Sequence, residues 1–412
     1  MKFGGTSVAD LERIRRVARL VAAEAAHRPV AVVVSAMAGK TNELVAWTDA
    51  AGPAAEGLAL SDDEYDTVVA SGEQVTAGLL AMTLRHMGFA ARSWLGWQVP
   101  ILTDDAHGRA RIDEIPAAAL TSAMDGGEIA VIAGFQGVTR DGRLTTLGRG
   151  GSDTTAVAIA AAIRARMCDI YTDVDGVYTT DPRIESRARR LKRVSYEEML
   201  EMASLGAKVL HTRSVEMAMA HGVPVRVLSS FVEPGEGQGP EVGTLVCEEE
   251  EIVEKRIVSG VAFSRDEAKI SLFGLPDHPG VSSRLFGPLA EANVNVDMIV
   301  QSHARAEGAA NMEFTVGKRD AARAVEIVRS AQAEIGFADL AVNEDVAKVS
   351  VIGVGMRSHA GVAKTMFSAL AEKGVNIQVI STSEIKISVL IDAAYTELAV
   401  RALHTAYGLD QV

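Results

Sequence analysis

Lysine, arginine, paired glycines and clustered carboxylates recur in five short stretches of the chain, each with residue types that could hold an anion or an ammonium group. MKFGGTS sets Lys2 beside Gly4 and Gly5, where a backbone lacking side chains can approach an anion closely, with Ser7 opening a helical pattern directly behind. A plain strand end followed by a helix cap would use the same residues. TTLGRGGSDTTA (145–156) is more demanding: Arg149 offers a planar fork suited to a carboxylate, Gly150 and Gly151 bare their backbone N–H groups, and Ser152 or Asp153 can cap the apolar helix that follows. YTDVDGVYTTDPR (171–183) packs Asp173, Asp175 and Asp181 into nine residues without calcium-loop spacing. A nucleotide-contacting loop suits it better, with Tyr178 stacking on a base and Arg183 meeting phosphate. Glu73, in ASGEQVTAGLL (70–80), lies on a strongly apolar helix; if buried it needs a partner such as an ammonium, and if not it is a solvated face. Lys208 in LGAKVLH is open in the same way, a site cation or a surface lysine.

Two familiar nucleotide signatures come close and fail. VSAMAGKT (34–41) ends like a Walker A loop, but Val34 stands where its first glycine belongs. LGRGGSD (147–153) puts Asp153 where a dinucleotide-binding loop has its last glycine. Anion binding must then be shared among several turns of one layer.

The elements that would carry these turns follow from the apolar pattern. AVVVS (31–35), IAVIAG (129–134), CDIYTD (168–173) and VPVRVL (223–228) read as strands alternating with helices, and a helix opened by Ser7-Val8-Ala9-Asp10 repeats Leu11, Ile14, Val17, Ala18 and Val21 at helical spacing. This alternation predicts an α/β fold, a mostly parallel sheet sandwiched by helices, with ligands at the carboxyl ends of the strands. A Gly-, Pro- and Glu-rich stretch (233–256) marks a boundary, with its GTLV read as a last short strand. Beyond it GVSSRLFGPLAEANVNV (280–296) and GVAKTMFSALAEKGVNI (361–377) share eight of seventeen positions without a gap, each inside a strand-loop-helix-strand unit. Two such α+β units are expected to add their sheets side by side. Phe286, Phe367, Leu289 and Leu370 read as core positions of the duplicated unit; the shared glycines and asparagines do not.

Composition bounds the rest. At 412 residues, 48% hydrophobic and 23% charged, the chain is an ordinary globular protein of two or three domains. A formal net charge of −13 argues against a nucleic-acid partner. Cys168 and Cys247 are too far apart for a metal motif and give no disulfide framework, and no apolar run reaches membrane-spanning length, so a cytoplasmic protein with no membrane partner is expected.

Taken in order, KFGGTS, VSAM, SGE, GFQG, TTLGRGGSDTTA, YTDVDGVYTTDPR and GAKVLH resemble the aspartate kinases of the amino acid kinase family, and the two later repeats look like the tandem ACT (ferredoxin-like) modules that regulate such enzymes. The resemblance covers essentially the whole chain. It implies a kinase domain over 1–247, a linker over 248–264 and ACT modules over 265–340 and 341–412. It also implies the reaction, transfer of a phosphoryl group from ATP, accompanied by Mg2+, to the side-chain carboxylate of L-aspartate, the first step toward lysine, threonine and methionine. No resident metal site is expected. Carried over residue by residue, Lys2, Gly4 and Gly5 would hold the β/γ-phosphates with help from Ser7. Ser35, Thr41 and Glu73 would bind aspartate, Glu73 facing the α-ammonium. Arg149 would clamp the α-carboxylate near Gly150, Gly151 and Ser152, and Asp153 would organise the transfer. Thr172, Asp173, Tyr178, Asp181, Arg183 and Lys208 would hold the nucleotide. The chemistry agrees, since a carboxylate nucleophile with pKa about 3.9 is already ionised at neutral pH and needs no general base. What must be overcome is repulsion between two anions.

The resemblance further implies feedback by lysine, threonine or both. Effector positions would be Asp277, Gly280, Val281, Asn295, Asp297 and Gln301 in the first repeat, and Gly361, Val362, Asn376, Ile377 and Thr382 in the second, with pairing of ACT sheets giving a homodimer or larger oligomer. Rival readings are a kinase acting on glutamate or acetylglutamate, which lacks the paired repeat, and a non-catalytic amino-acid sensor, against which the intact Lys2, Arg149 and Asp153 speak. One departure from the family pattern is that only Met1 precedes Lys2, so the first strand is expected to begin at Met1-Lys2-Phe3, to pair weakly and to leave Lys2 poorly anchored.

Overall fold

A computed structural model describes residues 1–51, 62–206, 209–233, 242–252, 256–304 and 308–411. The chain divides into two compact units, the first built from Met1–Val177, Arg190–Ser204 and Lys208–Val253, the second from Tyr178–Arg189, Leu205–Ala207 and Glu254–Val412. Two short segments from within the first 247 residues, 178–189 and 205–207, thus group with the second unit.

Strands of the first unit are β1 (Lys2–Phe3), β2 (Ala31–Val34), β3 (Ala91–Trp94), β4 (Leu102–Thr103), β5 (Ile112–Glu114), β6 (Ile129–Ala133), β7 (Gln136–Val138), β8 (Leu144–Thr146), β9 (Cys168–Thr172), β10 (Arg193–Ser195), β11 (Val225–Ser229) and β12 (Thr244–Cys247). Its helices are α1 (Leu11–Ala25), α2 (Lys40–Ala51), α3 (Asp62–Val69), α4 (Ser71–His86), α5 (Ala118–Asp125), α6 (Gly151–Ala162), α7 (Tyr196–Ser204) and α8 (Thr212–His221). Eight strands form the main sheet in the order β10-β12-β11-β9-β1-β2-β6-β3, and β5-β4-β7-β8 form a smaller one beside it. Only the β11–β12 pairing in the main sheet is antiparallel. Strands β2 and β6 are apolar along almost their whole length because parallel strands are covered on both faces. Ile14, Val17 and Val21 of α1 and Ala77, Leu80 and Leu84 of α4 pack into one core with Val32, Val34 and Val131, while α6 lies against β1, β2 and β9.

Two expectations need correction. First, β1 is not weakly held: it is short but central, pairing Lys2 with Val33 on one side and Ile170 on the other. Phe3 is fully buried and stacks on Tyr171, ring centroids 4.6 Å apart, so Lys2 is well anchored. The Met1 ammonium donates to the Ala31 carbonyl at 2.8 Å, extending the ladder by one residue. Second, the helix does not begin at Ser7. Gly5–Val8 is one 3-10 turn, and Asp10 caps α1 by accepting from the Arg13 N–H at 2.8 Å, which leaves Leu11 exposed in the first turn.

The second unit has strands β13 (Gly260–Pro276), β14 (Val296–His303), β15 (Ala309–Val316), β16 (Asp339–Ile352), β17 (Ile377–Thr382) and β18 (Lys386–Asp392), in one antiparallel sheet ordered β14-β15-β13-β16-β18-β17. Helices α9 (Val281–Glu291), α10 (Lys318–Ser330), α11 (Gln332–Ile335), α12 (Val362–Glu372) and α13 (Thr396–Ala406) pack on it. Its two halves join side by side through β13 and β16. The repeated glycines have a backbone reason: Gly280 and Gly361 precede α9 and α12 at φ 95° and 98°, a left-handed conformation that favours glycine. Leu289 and Leu370 are buried in the two cores, whereas Phe286 and Phe367 pack partly buried against them. No helix among the described residues is long and apolar enough to cross a membrane.

Candidate active site

Loops leaving the carboxyl ends of β1, β2 and β6 meet the start of α6 at a cleft of about 340 Å3 in the first unit. Lys2, Gly5, Ser35, Thr41, Glu73, Arg149, Gly150, Gly151, Ser152 and Asp153 all line it. Residues from four separate motifs are thereby brought together. Ala36, Met37, Asn42 and Phe135 line it too and were not singled out from the sequence, although GFQG contains Phe135.

Electrostatics of the cleft are set by four groups, Lys2, Asp153, Glu73 and Arg149. The Lys2 ammonium lies 2.6 Å from a carboxylate oxygen of Asp153, near the start of α6, and both side chains are largely buried. Glu73 sits in the first turn of α4, 3% exposed; Oε1 accepts from the Ala36 N–H at 3.0 Å, while Oε2 is buried and has no partner among the described residues. Burial outweighs that hydrogen bond and pushes the Glu73 carboxyl up to about 7. A buried acid with one oxygen unmet is a ready seat for an ammonium ion. Arg149 is exposed on the opposite loop, its guanidinium outside any ion pair among the described residues.

That loop is tight. Gly148 and Gly150 have φ of 74° and 73°, and a side chain at 150 would run into the ring of His211. At Gly5 a Cβ would come within 3.0 Å of the Ala36 carbonyl, so a side chain there would push the β1 and β2 loops apart by a few tenths of an ångström.

Other expected site residues fall outside the cleft lining. Gly4 continues β1, its N–H toward the Tyr171 carbonyl at 3.5 Å, and is close to the Lys2 ammonium. Ser7 is buried, and its hydroxyl donates to Ser230 at 2.8 Å; Ser230 in turn donates to the Thr172 carbonyl. The Ser7 side chain therefore ties the β1 turn to the ends of β9 and β11. Thr172 donates to the exposed Asp173 carboxylate at 3.1 Å. Tyr178, Asp181 and Arg183 belong to the second unit. There Arg183 clasps Asp181 through two nitrogens, at 2.7 Å for the shorter contact, and this holds the Asp181 carboxyl below its ordinary range. Lys208 lies outside the described residues.

Of the expected effector positions, Asp277, Gly280, Val281 and Gln301 line a second cleft of about 380 Å3 in the second unit, with His278 and Ser282. Asn295 and Asp297 are not in its wall; Asp297 instead accepts from the Lys348 ammonium at 2.8 Å, and Lys348 also pairs with Glu267. In the second repeat Val362 is a core residue whose carbonyl accepts from the Tyr407 hydroxyl at 2.7 Å, Ile377 is half-buried, and Gly361, Asn376 and Thr382 are exposed.

The profile of the amino acid kinase family matches residues 1–229, and an ACT-domain profile matches 270–332 and 349–407. An aspartokinase of Pseudomonas aeruginosa is 52% identical over 99% of this chain and 97% of its own. Among solved structures, aspartokinase III of Escherichia coli in complex with aspartate and ADP (R-state) superposes with a TM-score of 0.79 at 31% identity, covering 98% of both chains. The same enzyme with lysine and aspartate (T-state) gives 0.76 at 30%, covering 99% of this chain and 98% of its own. With the family profile spanning more than half of its length and full-length relatives above half identity, the chain belongs to the amino acid kinase family, in its aspartate kinase branch.

Proposed function

We propose that the cleft of the first unit performs the family's reaction as follows. Glu73 Oε2 receives the α-ammonium of L-aspartate, Arg149 grips its α-carboxylate, and Ser35, Thr41 and the bare backbone of 150–152 fill the space between. The substrate's side-chain carboxylate then points toward Lys2 and Asp153. Lys2, beside Gly4 and Gly5, meets the β- and γ-phosphates of ATP, while Thr172, Asp173 and Lys208 serve the nucleotide. Since the nucleophile is already ionised, the protein's task is in-line positioning and cancellation of repulsive charge. That accounts for a cleft with a lysine, an arginine and helix N–H groups but no histidine dyad. Magnesium fits as the companion of the triphosphate: Asp153 is a hard oxygen donor beside the phosphate position, and Mg2+ typically takes one or two carboxylates plus substrate phosphates. When bound it would neutralise phosphate charge.

The observation that carries this reading is the unmet, buried Glu73 oxygen facing the same cleft as Lys2, Arg149 and Asp153. An ATP-dependent hydroxamate assay with L-aspartate and L-glutamate in parallel tests it. Product with aspartate alone is expected; equal rates with both, or none with either, would overturn it. We further propose feedback by lysine, threonine or both at the cleft holding Asp277 and Gln301, pairing of ACT sheets into a homodimer or larger oligomer, and a cytoplasmic location. The E. coli T-state complex with lysine supports the first, and Ile299 and Ile380, left exposed on the edge strands β14 and β17, support the second.

A further inference from the structure

The loop that presents Arg149 is closed from within by one turn, the Gly151 N–H donating to the Gly148 carbonyl at 3.0 Å, and the Leu147 N–H at its entry donates to the Phe135 carbonyl at 2.9 Å. Two left-handed glycines in three residues, Gly148 and Gly150, make it conformationally soft, and the Arg149 side chain is exposed. Two charged residues from other helices fix the backbone leading into it. Asp66 of α3 is completely buried and accepts from the Thr146 hydroxyl, from Nδ1 of His107 at 2.8 Å and from the Gly108 N–H at 3.0 Å. Arg213, in the first turn of α8, donates one guanidinium nitrogen to the Leu147 carbonyl at 2.5 Å and the other to the Ala110 carbonyl at 2.6 Å. A single planar group thus bridges the two neighbouring segments 108–110 and 146–147, which are also joined by the Ala110 N–H to the Thr146 carbonyl at 2.9 Å.

The geometry is specific to the loop. Fixing the Leu147 carbonyl fixes the plane of the Leu147–Gly148 peptide, and with it the direction in which the glycine turn departs. Gly148 packs where a Cβ would come within 3.1 Å of the Gly108 carbonyl, the residue whose N–H Asp66 holds. Two residues before Arg213, His211 lies against Gly150. An arginine half-buried and directed at two carbonyls has a geometric use that an apolar side chain of equal bulk would not serve.

We infer that Arg213, braced across the loop by Asp66, is the positioning residue that aims Arg149 at the substrate's α-carboxylate. This inference rests on the proposed role of Arg149. The test compares wild type with Arg213→Met, Arg213→Lys, Arg149→Ala and the double variant Arg213→Met/Arg149→Ala, reading KM for aspartate, KM for ATP, kcat and thermal midpoint. Arg213→Met is expected to raise KM for aspartate about tenfold while KM for ATP and kcat change by less than about threefold. Arg213→Lys, which can reach one carbonyl at a time, should recover part of that loss and serves as the folded variant should the methionine form be unstable. On the Arg149→Ala background, Arg213→Met should raise KM for aspartate by less than about twofold, since the residue acts through Arg149. Arg213 variants with unchanged KM for aspartate beside an impaired Arg149→Ala, equal rises in both KM values, or fully additive effects in the double variant would overturn the inference. An unchanged KM for aspartate in Arg149→Ala would instead sink the reading of Arg149 itself.

Discussion

With its ammonium 2.6 Å from Asp153 in a largely buried setting, Lys2 is held in place by the group it neutralises, which in its proposed role would fix the cation before phosphate binds. Lys2→Ala is expected to lower kcat by roughly a hundredfold to a thousandfold with the fold retained, and near-normal turnover would refute the role. Glu73 gives a pH signature whose sign can be worked out. Its folded value of about 7 lies above the ordinary 4.5, so between these pH values the folded protein binds the extra proton, and stability falls as pH rises through that window. The loss approaches about 3 kcal/mol above neutrality. Thermal midpoints of the ligand-free enzyme should drop between pH 5 and pH 8 by more than those of Glu73→Gln. A bound ammonium should reverse the shift, so aspartate binding near pH 6.5 releases a proton, seen as a buffer-dependent heat in calorimetry; a heat independent of buffer would show that Glu73 does not meet the ammonium. At this scale much of the site was legible in sequence, because Lys2, Glu73 and 149–153 announce themselves by residue type inside local motifs. Phe135, Ala36 and His211 did not, since an apolar ring, a methyl group and a lone histidine acquire meaning only when folding sets them against a loop.

Elements were legible in proportion to how much of their partnering shows in their own residues. Strands β2 and β6 are unbroken apolar runs, as parallel strands covered on both faces should be, while β9 and β11 interrupt theirs with Asp169 and Arg226, which pair across the two strands at 2.8 Å. The two-residue β1 has no such run; its place at the sheet centre comes from neighbours 31 and 168 residues away, as Lys2 faces Val33 and Ile170, which no local pattern carries. The short strands of the second sheet, β4, β5, β7 and β8, were invisible for the same reason. Turn glycines were the better guide, and they yield a test at this scale. Gly150→Ala puts a methyl group into the His211 ring at a backbone φ of 73°, so α8 and the Arg149 loop cannot keep their spacing. The variant should lose aspartate affinity by about tenfold or more, measured as KM, with KM for ATP less affected. Ala substitution at Gly142, also left-handed but with open space around its Cβ, is the control and should cost only local strain.

Across the whole molecule, the sequence boundary and the structural one part company. The segment 178–189 groups with the unit that carries the ACT repeats, where the Thr179 hydroxyl meets Nε2 of the buried His404 at 2.9 Å and Arg187 pairs with Asp410 at 2.6 Å. Nothing in YTDVDGVYTTDPR signals this, since its contact with the C-terminal helix α13 is made by the plain hydroxyl of Thr179, while its Asp181 and Arg183 pair with each other. Regulation by an amino acid then has a physical requirement: the effector must bind one state of the enzyme better than the other, and by that difference alone can it shift the population. Asp277 and Gln301 in the second-unit cleft offer a carboxylate for an ammonium and an amide for a carboxylate. Saturating lysine, threonine or both are expected to inhibit by about fivefold or more, the ordinary range of such couplings. Asp277→Ala should raise the concentration giving half-inhibition by about tenfold, each variant being compared with its own uninhibited rate, because the ammonium loses its charged partner. If neither amino acid, alone or together, changes the rate of the wild-type enzyme, this cleft is not a feedback site, and the ACT pair must serve assembly instead.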